Sequence, residues 1–188
     1  MIKMHDSDHL PQRRLLLTGG MALIGGLALG CSSVGGTGGP RVPPITVPFP
    51  LHKAGARIEI DVRIVEDRSY RFVLMFMFKT PEERKRISDL VGGPYNDTDI
   101  KGRLVRPGVT VPIHLTVRTI RNGKPNDLLR DERYLAEGRE GFSANSFYRF
   151  FASIGLEPGL YRVTAETLTD VPELASVESH FYFYSRYL

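Results

Sequence analysis

The sequence predicts a mainly β protein, an immunoglobulin-like antiparallel β-sandwich with one short helix. Three observations carry this prediction. Residues 57–65 and 109–119 alternate apolar and polar side chains with a period of two, the pattern of a strand with one buried face. Turn-forming pairs, Asn122-Gly123 and Pro158-Gly159, punctuate such runs. Tyr161 stands at the start of a late strand just after a tight turn, the position of the tyrosine corner in immunoglobulin-like sandwiches. No Cys…Trp…Cys pattern accompanies it, so the likeness is to such folds in the broad sense.

In chain order, residues 1–30 read as a lipoprotein signal peptide. Arg13 and Arg14 precede an apolar run from Leu15 to Gly30, and the run ends in Leu27-Ala28-Leu29-Gly30-Cys31. Basic, apolar and small-residue regions in that order are the layout of a secretory signal. The last five residues resemble the lipobox of bacterial lipoproteins, although Ala28 and Leu29 depart from its usual pattern. The resemblance implies cleavage before Cys31 and lipidation of its sulfur. Gln12 to Thr18 also resembles a twin-arginine export signal, with Arg13 and Arg14 as the recognition pair. Ser32, in place of an aspartate, points to the outer membrane facing the periplasm. The competing reading is an uncleaved anchor. A span needs ~20 strongly apolar residues, and this run is shorter and carries glycines at 19, 20, 25, 26 and 30.

Residues 31–50 read as the lipidated cysteine followed by a tether, flexible through the glycines of 35–39 and stiffer through the prolines at 40, 43, 44, 48 and 50. The glycines are not a phosphate loop, because no Gly-Lys-Ser/Thr follows. The sandwich domain is expected over 51–188. Its first strand places Ile58, Ile60, Val62 and Ile64 on one face and Arg57, Glu59, Asp61 and Arg63 on the other. A second strand, 70–78, has Tyr70, Phe72, Leu74, Phe76 and Phe78 on one side and Val73, Met75 and Met77 on the other, so it is predicted to be central. Thr80, Pro81 and Glu83 have the spacing of a helix start, and Gly92-Gly93 of its stop. Residues 94–108 are predicted as loop and 109–119 as strand. Residues 126–141 read as polar, with a short strand near 133–135. The remaining strands are 146–154, a strand from Tyr161 to Thr167, and 177–184.

Three stretches, 54–67 with the aromatic strand after it, 111–117 and 156–174, together resemble a family of uncharacterised lipoproteins from Burkholderia-like proteobacteria, catalogued as a domain of unknown function. The resemblance implies a small β-sandwich on an exported lipoprotein and assigns no catalytic residue.

Composition narrows the function classes. The chain carries 25 Lys+Arg against 21 Asp+Glu, a net charge of +4, and the two signs interleave, as in Arg57 to Arg63 and Arg130 to Arg133. That is a self-neutralised surface and does not point to nucleic acid. Cys31 is the single cysteine, so no intrachain disulfide or thiolate cluster is available. His52, His114 and His180 lack metal-ligand spacing, and no Gly-x-Ser-x-Gly elbow occurs. No catalytic residue, metal ligand or cofactor is predicted. Asn96-Asp97-Thr98-Asp99 reads as an Asx-rich turn in preference to a cation loop. Phe181, Tyr182, Phe183 and Tyr184 cannot all face one core, so either both faces are covered or Tyr182 and Tyr184 lie on an exposed face. With Tyr148 they are the candidate partner surface. These observations favour a tethered protein-binding module, one version being an immunity protein that neutralises a toxin. The alternative is an envelope enzyme or small-ligand-binding protein whose site the sequence does not display.

Overall fold

Period-two hydrophobicity builds two sheets whose apolar faces meet. The computed structural model describes residues 39–94 and 96–185, with the backbone of Val34 and Gly35. The chain divides into two units, Met1–Gly30 and Cys31–Leu188, and all described residues belong to the second. The strands are β1 (Val34–Gly35), β2 (Ile45–Pro48), β3 (Arg57–Ile64), β4 (Arg68–Met77), β5 (Val111–Arg121), β6 (Lys124–Ala136), β7 (Gly141–Phe142), β8 (Ser146–Leu156), β9 (Gly159–Thr167) and β10 (Ser179–Ser185), with one helix, α1 (Pro81–Val91). The first sheet has the order β1-β3-β9-β5-β6 and the second β2-β10-β4-β8-β7. Every described strand pair is antiparallel except β1 with β3.

The core lies between the sheets. Ile58, Val62, Ile113, Leu115, Val117 and Val163 come from the first, and Phe72, Leu74, Phe76, Phe181 and Phe183 from the second, all with no exposed surface. Phe72 stacks on Phe183 at 4.9 Å between ring centroids. Each such side chain contributes about 1.5–3 kcal/mol by leaving water, which is what holds the sheets together. The predicted corner is present: the Tyr161 hydroxyl donates to Glu157 O at 2.8 Å. Tyr70 repeats the device, donating to Glu66 O at 2.9 Å. Burial pushes both phenols above their ordinary pKa.

The helix starts as its sequence dictates. Thr80 Oγ1 accepts from Glu83 N at 3.2 Å, and the Glu83 carboxylate turns back to accept from Lys79 N at 2.7 Å. Gly92, at φ 90°, ends it. Ile87 and Val91 are the face it buries.

Two predicted boundaries are corrected. The prolines of 40–50 do not mark a tether along their whole length. β2 pairs with β10, Arg41 bridges Val62, and Ile45, Val47, Phe49 and Leu51 are buried. The domain therefore begins well before residue 51. β2 is an edge strand, where a missing proline N–H costs no ladder bond. The polar stretch after Gly123 is a full strand, β6, and not a short one near 133–135. It is also an edge strand, exposed along most of its length, so it shows no apolar alternation. Its hairpin turn is the predicted one, with Asn122 at φ 51° and Gly123 at φ 72°.

One core residue had no counterpart among the predictions. Arg149 points inward from β8 and is 1% exposed. Its Nε donates to Gly138 O (3.1 Å), Nη1 to Val109 O (2.6 Å) and Ala136 O (3.0 Å), and Nη2 to Val91 O (2.6 Å) and Leu90 O (3.5 Å). Burial pushes its pKa down to about 10, which leaves it charged at neutral pH. Backbone carbonyls, including the negative end of α1, stand in for a counter-ion.

Candidate functional site

The outward faces of the two sheets differ in chemistry. On the first sheet most outward positions are charged or hydroxylic. Arg162 bonds Asp61 at 2.7 and 3.0 Å and pairs with Glu59 at 3.1 Å, with the Asp61 hydrogen bond as the main cause of its raised pKa. His114 bonds Asp131 on the neighbouring strand. Arg162, Glu59 and His114, together with Arg57, Thr116, Arg118 and Thr164, border a groove of about 390 Å³.

On the second sheet the outward face gathers aromatic side chains. Strand pairing explains why. β4 lies between β10 and β8 and sets Val73 opposite Tyr182, Arg71 opposite Tyr184 and Met75 opposite Tyr148. Because side chains two apart share a face, the three tyrosines converge. Tyr182 and Tyr184 stack with centroids 4.7 Å apart and planes 16° apart, and Tyr148 stands 6.3 Å from Tyr182. All three are half-buried. They line a groove of about 370 Å³ with Val73, Glu140, Gly141 and Phe142. Phe142 is 63% exposed. Arg71 closes one side: it pairs with Glu140, lies 4.3 Å from the Phe150 ring centroid and reaches the Tyr184 hydroxyl at 3.5 Å. The surface thus offers apolar ring area, phenolic hydroxyls and an ion pair whose charges are already balanced. Such a surface suits a partner that buries apolar area, because tyrosine gains contact at low entropic cost.

The sequence-predicted tyrosines are therefore brought together. Phe142, Phe150, Arg71 and Glu140 were missed as members of the site. The signal available was the alternation of β4, which puts Arg71 and Val73 on the face away from Phe72. Cys31, Arg13 and Arg14 lie outside the described residues. The Asx-rich 96–99 segment leads into a tight turn and is not itself one: Thr98 bridges Leu104, and Asp99 caps the turn that follows, accepting from Lys101 N, Arg103 N and the Arg103 guanidinium at 2.8–3.0 Å. These bonds, led by the Arg103 backbone N–H, hold its carboxyl below the usual range. Among the described residues no group of three or more His, Cys, Asp or Glu is placed to hold a metal. Among them, too, no helix is long and apolar enough to cross a membrane.

Comparison with known proteins agrees with this architecture. A crystal structure of a protein from Sulfurospirillum deleyianum is 24% identical, with a TM-score of 0.66, and the match covers 80% of this chain and 100% of that one. At that identity the likeness establishes a shared fold. No curated protein matches the chain. Residues 46–185 match a family described as a domain of unknown function, DUF5625. The match begins within β2 and ends with β10, so it spans both sheets and includes residues 46–50 at the end of the segment predicted as tether. The chain belongs to the DUF5625 family.

Proposed function

We propose that this protein is a membrane-anchored periplasmic lipoprotein whose sandwich is a non-catalytic protein-binding module. The partner docks on the aromatic face of the second sheet. The observation that carries the binding reading is the convergence of Tyr148, Tyr182 and Tyr184 from two strands onto one half-exposed groove. Core packing does not call for it, since Phe147, Phe181 and Phe183 already fill the inner face. Binding energy at such surfaces concentrates in a few aromatic anchors. Affinity capture with the parent chain and with a Tyr148→Ala/Tyr182→Ala variant tests this. A partner retained by the first and lost by the second, with both equally folded, is the expected result. A partner set indifferent to these tyrosines refutes the reading.

The anchoring part of the proposal rests on the sequence around Cys31. Cys31→Ala should move the protein from the membrane to the soluble fraction, and a variant still pelleting with membranes would favour an uncleaved anchor. The immunity version predicts that deleting the gene sensitises cells to a neighbour's toxin; unchanged survival in competition counts against it. One observation favours the alternative of a small-ligand site or enzyme: the groove that His114, Arg118 and Arg162 border. Ligand screening against His114→Ala and Arg162→Ala separates the two readings.

A further inference from the structure

At one end of the sandwich, three arginines from separate segments gather with no carboxylate bonded to them among the described residues. Arg84 is on α1, Arg106 on the loop from α1 to β5, and Arg139 between β6 and β7. Arg84 and Arg139 line a pocket of about 410 Å³ with Lys85, Ser88, Phe142 and Phe147. Arg106 and Arg139 flank one glycine. Gly93 O accepts from Arg139 N at 2.7 Å, and a Cβ on Gly93 would stand 3.1 Å from Arg106 Nε. The Arg139 pKa falls through burial first, then through the charges of Arg106 and Arg84.

The acids nearby are committed elsewhere. Glu83 caps α1 through Lys79 N, Glu140 pairs with Arg71, and Glu137 accepts from Thr110 Oγ1 at 2.6 Å. The acid that lines the pocket is Asp89, which is exposed. One carboxylate therefore lines the pocket beside Arg84, Lys85 and Arg139. Aromatic rings hold two of the guanidinium groups: Arg139 sits 5.0 Å from the Phe147 centroid, and Arg84 5.8 Å from Phe78 and 5.9 Å from Phe142. A ring contact positions a guanidinium without using its N–H donors. The Arg139 side chain bonds a neutral acceptor, Ser88 Oγ, at 3.2 Å.

We infer that the pocket lined by Arg84, Lys85 and Arg139, with Arg106 nearby beside Gly93, binds a phosphoryl group, either free or on a lipid headgroup. Guanidinium groups and an ammonium approaching from separate segments match a tetrahedral dianion with several acceptor oxygens better than a planar carboxylate with two. The inference is independent of the aromatic groove, although Phe142 borders both.

The test uses the full chain and inorganic pyrophosphate in a calorimetric titration. Saturable binding is expected, with a loss of about tenfold or more in Arg84→Gln/Arg139→Gln, because charge-assisted hydrogen bonds are lost. The melting temperature of that variant without anion should hold or rise, because like charges have been removed; a purely structural role would lower it. Arg86→Gln, on the same helix but bonded to Ser176, should bind as the parent does. Cosedimentation of the Cys31→Ala chain with phosphatidylcholine vesicles, with and without phosphatidylglycerol, distinguishes the sources. A gain on anionic vesicles that depends on Arg84 and Arg139 assigns a headgroup; pyrophosphate binding without that gain assigns a free phosphate. Absence of saturable pyrophosphate binding, or its persistence in the double variant, overturns the inference. Tighter binding of a polyglutamate peptide than of pyrophosphate also overturns it, in favour of an acidic protein segment.

Discussion

Replacing Arg149 with methionine should destabilise the fold by about 3–5 kcal/mol, the cost of breaking a buried charged network by removing one partner. The magnitude follows from the bonds. Four contacts of 2.6–3.1 Å join the guanidinium to Val91, Val109, Ala136 and Gly138. Each carbonyl left dry costs about 1–3 kcal/mol. Against this, methionine spares the desolvation of a cation, several kcal/mol by itself, and still fills the space beside Phe76, whose ring centroid lies 5.3 Å from the Arg149 Cζ. Arg149→Lys separates charge from donor geometry. An ammonium keeps the charge but cannot reach α1, the β5 entry and the β6 end together, so about half the loss is expected, on the order of 2 kcal/mol. Urea unfolding followed by circular dichroism measures both, with unchanged m-values confirming a common two-state reaction. A methionine variant within about 1 kcal/mol of the parent would mean that the carbonyls find water instead, since surface-type changes fall in that range. A lysine variant less stable than the methionine one would show that charge burial outweighs the lost donors, contrary to this accounting.

Three further outcomes follow from local geometry. Gly108→Ala should cost roughly 2–5 kcal/mol, combining a left-handed backbone with overpacking: Gly108 lies at φ 69°, and its new Cβ would meet Leu90 O at 2.5 Å. Gly102→Ala, at φ 73° in open space, should cost only about 1 kcal/mol; equal losses in denaturant titrations would contradict the steric argument. Tyr161→Phe should cost about 1 kcal/mol through the orphaned Glu157 carbonyl, read as a lowered melting temperature, and no change would mean that the corner bond adds nothing. Asp99 and Glu132 have carboxyls held below their ordinary pKa, the first by the Arg103 backbone N–H and the second by the Tyr134 hydroxyl. A lowered folded-state pKa means that their stabilisation is complete above the unfolded value, about 4, and is lost as acid protonates them in the fold. The melting temperature should fall as pH drops from about 5, and Asp99→Asn should flatten that fall; an unaltered profile refutes the assignment.

Much of this protein is written in local code. The alternation of Ile58 to Ile64 and of Val111 to Val117 commits those segments to half-buried strands, because any other register would put charges in the core. Thr80-Pro81 and Gly92 bound a helix through backbone groups within a few residues. Tyr161 bonds a carbonyl four residues back, so its corner could be anticipated from Pro158-Gly159. The tyrosines facing away from Phe181 and Phe183 could be named for the same reason. What the sequence did not determine depends on neighbours distant in the chain. β2 and β6 are edge strands, and edge position is a property of the sheet; prolines in one and charges in the other hide them from a reading based on periodicity. Tyr148 meets Tyr182 only because β4 is inserted between β8 and β10. Arg149 looks like an interruption in an aromatic strand until the fold brings it carbonyls from as far as 59 positions away. Arg84 and Arg139 are likewise scattered in sequence and share one pocket only in the folded chain. Tertiary structure decides such clusters because side chains from separate segments meet only after the sheets have closed.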